Sequence, residues 1–196
     1  MALRCFIAIE IPESIRGAIV SSIDGLKKSG ADVKWVSPEN IHITLQFLGE
    51  TEEARIPSIK EALDKILLPY SPFYIKIAGV GCFPYARRPR VIWVGTEESQ
   101  PVINLQGDIA RGMAKFGYRE EERNFTPHLT IGRVKSNRNM RELLGKIDEI
   151  RAVRFSDFEA QNITLMKSEL KPSGATYYSL AEIPFGRRSN VNKGQG

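Results

Sequence analysis

Residues 40–50, NIHITLQFLGE, alternate apolar and polar side chains over most of their length, as a half-buried β-strand does. Ile43 and Leu45 would face a hydrophobic core. His42 and Thr44 would share the opposite face, about 7 Å apart, because every second residue of a strand points the same way. An imidazole and a hydroxyl at that spacing can contact one small anion, and a phosphate fits the span.

The same unit recurs at the other histidine, in residues 125–134, FTPHLTIGRV. The chain holds two histidines in 196 residues, and both stand two positions before a threonine, since His128 precedes Thr130. Chance would produce this in roughly one chain in a thousand of this composition. Two such strands facing each other would bring two imidazoles and two hydroxyls to one phosphate. One neutral ring could accept a proton and one charged ring donate one, while the hydroxyls bind the non-bridging oxygens.

Two other interpretations compete with this one. A single strand histidine beside a threonine is usually structural, and only the pairing favours catalysis. A zinc site would use the two histidines with Cys5 and Cys82, but these four residues show none of the close ligand spacings of zinc sites. We therefore expect no metal.

The chain also repeats a pattern of elements with an offset of about 86 residues, the separation of the two histidines. An apolar strand, an amphipathic helix, a histidine strand, a second helix and another strand occur twice in this order. In the first copy the elements around the histidine strand are residues 5–9, 15–26, 52–67 and 73–80, and in the second copy they are residues 91–94, 102–116, 138–149 and 152–158. Two further strands are predicted at residues 163–166 and 177–183.

This repeat predicts an α+β fold with two pseudo-symmetric lobes. Each lobe would contain a mainly antiparallel sheet with outer helices, and the two His-x-Thr strands would face a central cleft. Residues 1–185 would form this single two-lobed domain, and residues 186–196 a basic, disordered tail. Three of the five net positive charges lie in that tail, so the charge balance of the folded part indicates little about RNA binding.

At this point a family resemblance becomes specific. The two His-x-Thr units, together with LRCFIAIEIPE (residues 3–13), VKWVSPENIHITLQFLGE (residues 33–50) and RPRVIWVG (residues 88–95), resemble the 2H phosphoesterase superfamily. Within it the chain is similar to the RNA 2′,3′-cyclic phosphodiesterases, which are also called 2′-5′ RNA ligases. The resemblance covers nearly the whole chain.

The resemblance implies a reaction and a site. The reaction is hydrolysis of an RNA 2′,3′-cyclic phosphate to a 2′-phosphomonoester, without a cofactor. His42 would be the proton donor, His128 the proton acceptor, and Thr44 and Thr130 would bind the phosphate. The two units are symmetric, so the residues themselves do not decide which histidine is the acid.

Other candidate substrate contacts are less specific. By simple strand alternation, Arg133 would lie on the apolar face. A bulge at Gly132 would turn it toward the cleft, where it could contact a phosphate or ribose, or it could emerge at the strand end into solvent. Arg90 ends a basic segment, residues 85–90, that could contact an RNA backbone or simply be solvated. Phe125 could stack on a base, whereas Phe47 has the parity of the core.

Three functions remain open from the sequence. The first is a metal-independent cyclic phosphodiesterase acting on RNA ends or small cyclic nucleotides. The second is an RNA ligase, in which a 5′-hydroxyl replaces water and a 2′-5′ linkage forms. The third is a non-catalytic module that binds RNA or nucleotides. In each case we expect a cytoplasmic monomer without a membrane segment, because no signal peptide or long apolar run occurs.

Overall fold

Nine strands of the chain join into one antiparallel sheet. The computed structural model describes residues 1–85, 88–119, 124–172 and 174–186. The strands are β1 (Ala2–Glu10), β2 (Val33–Trp35), β3 (His42–Glu52), β4 (Phe73–Phe83), β5 (Val91–Glu97), β6 (His128–Val134), β7 (Arg154–Ala160), β8 (Asn162–Lys171) and β9 (Gly174–Pro184). Their order is β7-β4-β5-β6-β3-β1-β8-β9, and the short β2 pairs with β6 beside the start of β3.

In the residues that the structure describes, four α-helices accompany the sheet, and each lies where the sequence predicts one. They are α1 (Glu13–Lys27), α2 (Ile56–Leu67), α3 (Gln100–Ala114) and α4 (Met140–Glu149). Apolar residues three and four positions apart form the buried stripe of each helix, such as Ile15, Ile19, Ile23 and Leu26 in α1. Among the described elements, β2 and two 3-10 helices (Pro38–Asn40 and Glu53–Arg55) were missed, because three residues are too few to show a period.

The sheet consists of two halves of the same design. One half is β3-β1-β8-β9 and the other is β6-β5-β4-β7, so the order is mirrored about the contact between β3 and β6. Strands β4 and β8 cross over, since β4 pairs with β5 and β8 pairs with β1. Each half therefore contains strands from distant parts of the chain. The predicted α+β, two-lobed fold class is confirmed, with the two halves merged into a continuous sheet.

One face of the sheet, which we call the core face, packs against the helices. A single cluster of buried apolar residues includes members from all four helices and from both halves of the sheet. Ile43 of β3 and Leu129 of β6 belong to it and have no exposed surface. The two lobes therefore share one hydrophobic core.

Two sequence expectations fall partly outside the described residues. The tail predicted for residues 186–196 lies outside them apart from Gly186, and so do Ala86 and Arg87 of the basic segment. No helix in the described part of the chain is long and apolar enough to cross a membrane.

Bulges in the two histidine strands change which face later residues occupy. In β3, Gln46 lies opposite Ile7 and Thr44 opposite Ala8, so Leu45 is an extra residue. The alternation shifts after it: Gln46 is buried, and Phe47 is 58% exposed. The expectation that Phe47 belongs to the core was therefore wrong, because simple parity does not survive a bulge.

The bulge predicted near Gly132 in β6 is present. Thr130 lies opposite Trp93 and Gly132 opposite Ile92, which leaves Ile131 as the extra residue. Arg133 then lies opposite Val91 and returns to the face that Thr130 occupies, since Val91 and Trp93 are two apart on a regular strand. The core face is kept apolar by Ile131, which is fully buried.

Gly132 is also the point at which β2 packs on β6. A Cβ at this position would lie 2.8 Å from Cγ1 of Val33 and 3.0 Å from the ring of Trp35. We expect Gly132→Ala to lower the free energy of unfolding by about 1 to 3 kcal/mol, because β2 must move to admit the methyl group. Gly145→Ala in α4 is the control, since a Cβ there meets nothing within 4 Å. Urea unfolding of both variants measures the difference, and equal stabilities would contradict this packing.

Candidate active site

The four residues of the two His-x-Thr units lie together on the face of the sheet opposite the core, which we call the site face. Strands β3 and β6 are antiparallel neighbours, and Ile43 lies opposite Leu129. This register puts His42 level with Thr130 and Thr44 level with His128. The two histidines are then diagonal to each other, with Cβ atoms about 7 Å apart. The predicted pairing of the two units is thus realised within one sheet.

The neighbouring strands extend this arrangement into two rows across the sheet. The first row runs from Glu10 of β1 through His42 and Thr130 to Trp93 of β5. The second row runs from Ala8 through Thr44 and His128 to Gly95. The second row thus ends in a small residue on each side, with Thr44 and His128 between them. The two imidazoles and the two hydroxyls form one polar group on the site face.

His42 is enclosed by aromatic rings. Its imidazole stacks on Phe6 of β1, with ring centroids 4.9 Å apart, and meets the edge of Tyr177 of β9 at 5.3 Å. The Nε2 atom lies 3.0 Å from the Thr44 hydroxyl oxygen. The ring also hydrogen-bonds to the backbone of Asn40. Together these contacts fix the orientation of this ring.

His128 has a more open environment. Its Nδ1 lies 2.7 Å from the carbonyl oxygen of Thr126, in an exposed position. The ring of Phe83 meets it edge-on, with centroids 5.0 Å apart. In both units the imidazole is thus hydrogen-bonded to the backbone two residues earlier in the chain. This bond through Nδ1 leaves Nε2 of His128 directed away from the backbone and available for proton transfer.

Burial makes the protonated form of His42 unfavourable. Loss of hydration lowers the pKa of His42 from its ordinary value of 6.5 to about 4, and the hydrogen bond to the Asn40 backbone only partly offsets this. The ring is therefore neutral at pH 7 in the substrate-free protein. With Nδ1 bonded to the backbone, a neutral ring accepts a hydrogen bond at Nε2, and the Thr44 hydroxyl is the donor.

The remaining predicted contacts are placed as follows. Arg133 is exposed on the site face. Arg90 is exposed as well, but its carbonyl accepts a hydrogen bond from Val134, and strand alternation directs its side chain to the other face. Phe125 is partly buried and packs against the main core. Of these three residues, the structure brings only Arg133 to the side of the sheet that bears the histidines.

Sequence reasoning missed the role of Phe6, whose ring stacks on His42. Phe6 is 2% exposed and forms a small cluster with Ala8, Met166 and Tyr177 on the site face. On the other side of the site, the ring of Trp93 lies over Gly81, where a Cβ would come within 2.5 Å of it. The available signal was that residues 5–9 are apolar without alternation, which indicates a strand covered on both faces.

Two surface cavities in the described residues, of about 290 and 270 Å³, include neither histidine. The larger one is lined by charged residues that already pair with one another, such as Arg154 and Glu97. Within the described part of the chain, no three or more His, Cys, Asp and Glu side chains are grouped closely enough to hold a metal ion.

Comparison with known proteins is consistent with this arrangement. The sequence model of the 2′-5′ RNA ligase superfamily matches residues 12–172. The chain belongs to this superfamily. The predicted family and the predicted enzyme class, a hydrolase, are confirmed by curated relatives in the superfamily that are named RNA 2′,3′-cyclic phosphodiesterase.

Two of these relatives show how much of the chain is shared. The Methanothermobacter thermautotrophicus protein is 38% identical over 90% of this chain and 96% of its own length. The Aquifex aeolicus protein is 40% identical over 78% of this chain and 82% of its own length.

Solved structures share the fold. A crystal structure of a Thermus thermophilus protein superposes with a TM-score of 0.79 at 25% identity, and it covers 94% of this chain and 98% of that one. Escherichia coli LigT, crystallised in complex with 3′-AMP, gives a TM-score of 0.76 at 23% identity over 95% of this chain and all of that one. These likenesses extend across both halves of the sheet.

The lowered pKa of His42 predicts a measurable pH effect. The unfolded chain binds a proton at this residue below about pH 6.5, whereas the folded protein does so only below about pH 4, so folding stability falls as the pH decreases between these values. The full effect is about 3 kcal/mol. We expect His42→Gln to remove this loss of stability, which urea unfolding at pH 7 and pH 4.5 would measure.

The chain's two histidines also allow a direct test. In a His128→Gln variant, the single imidazole NMR signal belongs to His42 and should titrate near pH 4. A midpoint at the ordinary value of 6.5 would contradict the buried environment described above.

Proposed function

We propose that this protein hydrolyses the 2′,3′-cyclic phosphate at RNA ends to a 2′-phosphomonoester, without a metal ion, by acid–base catalysis between His42 and His128. One observation carries the proposal: the register of β3 and β6 sets two imidazoles diagonally across a space lined by two threonine hydroxyls. Curated relatives that are named RNA 2′,3′-cyclic phosphodiesterase support the substrate class.

Thr44 and Thr130 bind the non-bridging oxygens of the cyclic phosphate. Each hydroxyl donates one hydrogen bond, and such bonds to a charged acceptor are stronger than neutral ones. The phosphate then lies between the two histidines. This position suits in-line displacement, because the attacking water and the departing oxygen occupy opposite sides of the phosphorus.

His128 acts as the base and His42 as the acid. Nε2 of His128 removes a proton from water as the water oxygen bonds to phosphorus. The bond from phosphorus to the 3′ oxygen breaks, and His42 gives its proton to that oxygen. The product is a 2′-phosphomonoester with a free 3′-hydroxyl, and proton exchange with solvent restores both rings.

The acid role requires His42 to gain a proton when substrate binds. A bound phosphate anion raises the pKa of a neighbouring imidazole, which opposes the desolvation that lowers it in the empty site. The Thr44 hydroxyl, which donates to Nε2 of His42 in the empty site, is then free to turn toward the phosphate. Glu10 lies level with His42 on β1, but its carboxylate already accepts a hydrogen bond from Thr164.

Replacing either histidine should abolish most turnover and spare binding. We expect His42→Ala and His128→Ala to lower kcat by about 10² to 10⁴, the usual contribution of a general acid or base. The assay is a short RNA ending in a 2′,3′-cyclic phosphate, incubated with EDTA, with the 2′-phosphate, 3′-phosphate and ligated products resolved. A ligated product in the presence of a 5′-hydroxyl RNA would favour the ligase. Parallel loss of binding and turnover would favour a pocket without catalysis.

The roles of the two histidines can be separated by the leaving group. The test uses a cyclic substrate in which sulfur replaces the 3′ bridging oxygen. Its 3′ leaving group departs as a thiolate, which needs no proton. If His42 is the acid, His42→Ala should regain most of its lost activity on this substrate, relative to the oxygen substrate. His128→Ala should regain none, because water must still be deprotonated. Recovery by His128→Ala instead would reverse the assignment.

A further inference from the structure

Two cations face each other on the site face, close to the histidines. Lys34 of β2 lies directly opposite Arg133 of β6, and both side chains are exposed. Residues directly opposite on antiparallel strands point to the same side of the sheet. Because Arg133 shares the site face with Thr130, Lys34 lies on that face as well. The neighbours Val33 and Trp35 point the other way and pack against the core.

The side chains of this pair of like charges form no ion pair in the described part of the protein. Neither the Lys34 ammonium nor the Arg133 guanidinium forms a side-chain hydrogen bond or a salt bridge with any residue that the structure describes. Exposed cations on other strands do have acidic partners, as Lys76 does with Glu98 at 2.7 Å and Lys167 with Glu169 at 2.7 Å. Like charges directly opposite each other destabilise a strand pair. An anion bound between the two would remove that repulsion.

The start of β9 lies beside this pair of cations. Nζ of Lys34 lies 3.9 Å from the position that a Cβ of Gly174 would occupy, so the ammonium reaches the start of β9. Asn40, which precedes the histidine strand, donates a hydrogen bond to the carbonyl of Ala175 at 2.7 Å. The two cationic groups thus lie at the end of the site face beside β2, next to the start of β9.

The distance from the reacting phosphate matches the repeat of an RNA strand. Arg133 lies two paired positions beyond Thr130 once the bulge at Ile131 is discounted, which is about 7 Å along β6. Adjacent phosphates of an extended single strand are separated by a comparable distance. A 2′,3′-cyclic phosphate ends the strand, so its only neighbouring phosphate is the one on the 5′ side of the terminal ribose.

We propose that Lys34, together with Arg133, forms a subsite for the phosphodiester on the 5′ side of the terminal nucleotide, and that this subsite makes the enzyme prefer RNA ends to cyclic mononucleotides. The inference rests on the proposed function, because it takes the reacting phosphate to lie at the two threonines. Lys34 contributes binding at this subsite and takes no part in proton transfer.

The test compares two substrates that differ by one charge. The first is a cyclic mononucleotide with a free 5′-hydroxyl, and the second is the same nucleotide with a methyl phosphate diester at the 5′ position. We expect the wild-type protein to favour the second by roughly ten-fold in kcat/KM, as a charge-assisted contact does. Lys34→Gln should lower that ratio to about two- or three-fold through KM, with kcat unchanged.

Salt dependence and a control variant sharpen this test. For the diester substrate, KM should rise less steeply with salt concentration in Lys34→Gln than in the wild type, because salt screens the lysine–phosphate contact that the variant has lost. Lys76→Gln removes another exposed strand lysine of the sheet and should leave both the ratio and the slope as in the wild type. A wild-type ratio of one, or an unchanged ratio in Lys34→Gln, would overturn the subsite.

Binding separates this proposal from the proposed function. Calorimetry of the wild type and Lys34→Gln with the 2′-phosphate product, with and without the 5′ methyl phosphate, measures the subsite without turnover. If neither substrate is hydrolysed but the 5′ diester still strengthens binding through Lys34, the hydrolase proposal fails and the subsite stands. If turnover is normal and the diester adds no affinity, the subsite fails and the hydrolase stands.

Discussion

The contact between β3 and β6 is the constraint on which the rest of the structure depends. It is short, with Ile43 opposite Leu129 as its paired position, and yet it joins the two halves of the sheet. A slip of one residue would turn the polar side chains of one His-x-Thr unit into the apolar core. A slip of two residues would set the histidines directly opposite each other, about 5 Å apart, and leave no space for a phosphate. The buried pair of Ile43 and Leu129 therefore fixes the relative positions of the two His-x-Thr units on the site face.

The aromatic packing on the site face also sets the protonation state of His42. The bulge at Leu45 brings Phe47 out beside Phe6, whose ring stacks on His42 and excludes water from it. Exclusion of water lowers the pKa of that imidazole to about 4, so the empty site holds a neutral ring. In the proposed function, an anion bound at the threonines would raise the pKa of this imidazole again. The packing that orders His42 would then link its protonation to occupancy of the site.

The sequence predicted most of the elements, but few of the long-range pairings. Helical stripes and strand alternation are local, so α1 to α4 and eight strands could be located from them. The crossing of β4 and β8 into opposite halves depends on pairings between residues distant in the chain, which no local period reports. Bulges limit the prediction in a different way, because an extra residue shifts the alternation that assigns each side chain to a face. The glycine at 132 gave a local signal for one, whereas nothing in the sequence marked Leu45, so Arg133 was placed correctly and Phe47 was not.

Two identical motifs give two different histidines because their neighbouring strands differ. Each unit has the same His-x-Thr pattern, and each ring bonds to the backbone two positions earlier. Beyond that the symmetry ends. His42 lies in the row of Glu10, beside Phe6 and Tyr177, whereas His128 lies in the row of Gly95 and meets Phe83 only by an edge.

Two imidazoles in identical surroundings would have equal affinities for a proton, so neither ring would be the preferred place for a single one. In the proposed mechanism the two rings can take different roles, because the charge state of the desolvated His42 ring depends on whether an anion is bound beside it. The difference between the two histidines therefore comes from the neighbouring strands β1, β4, β5 and β9, whereas the His-x-Thr motif supplies the two imidazoles.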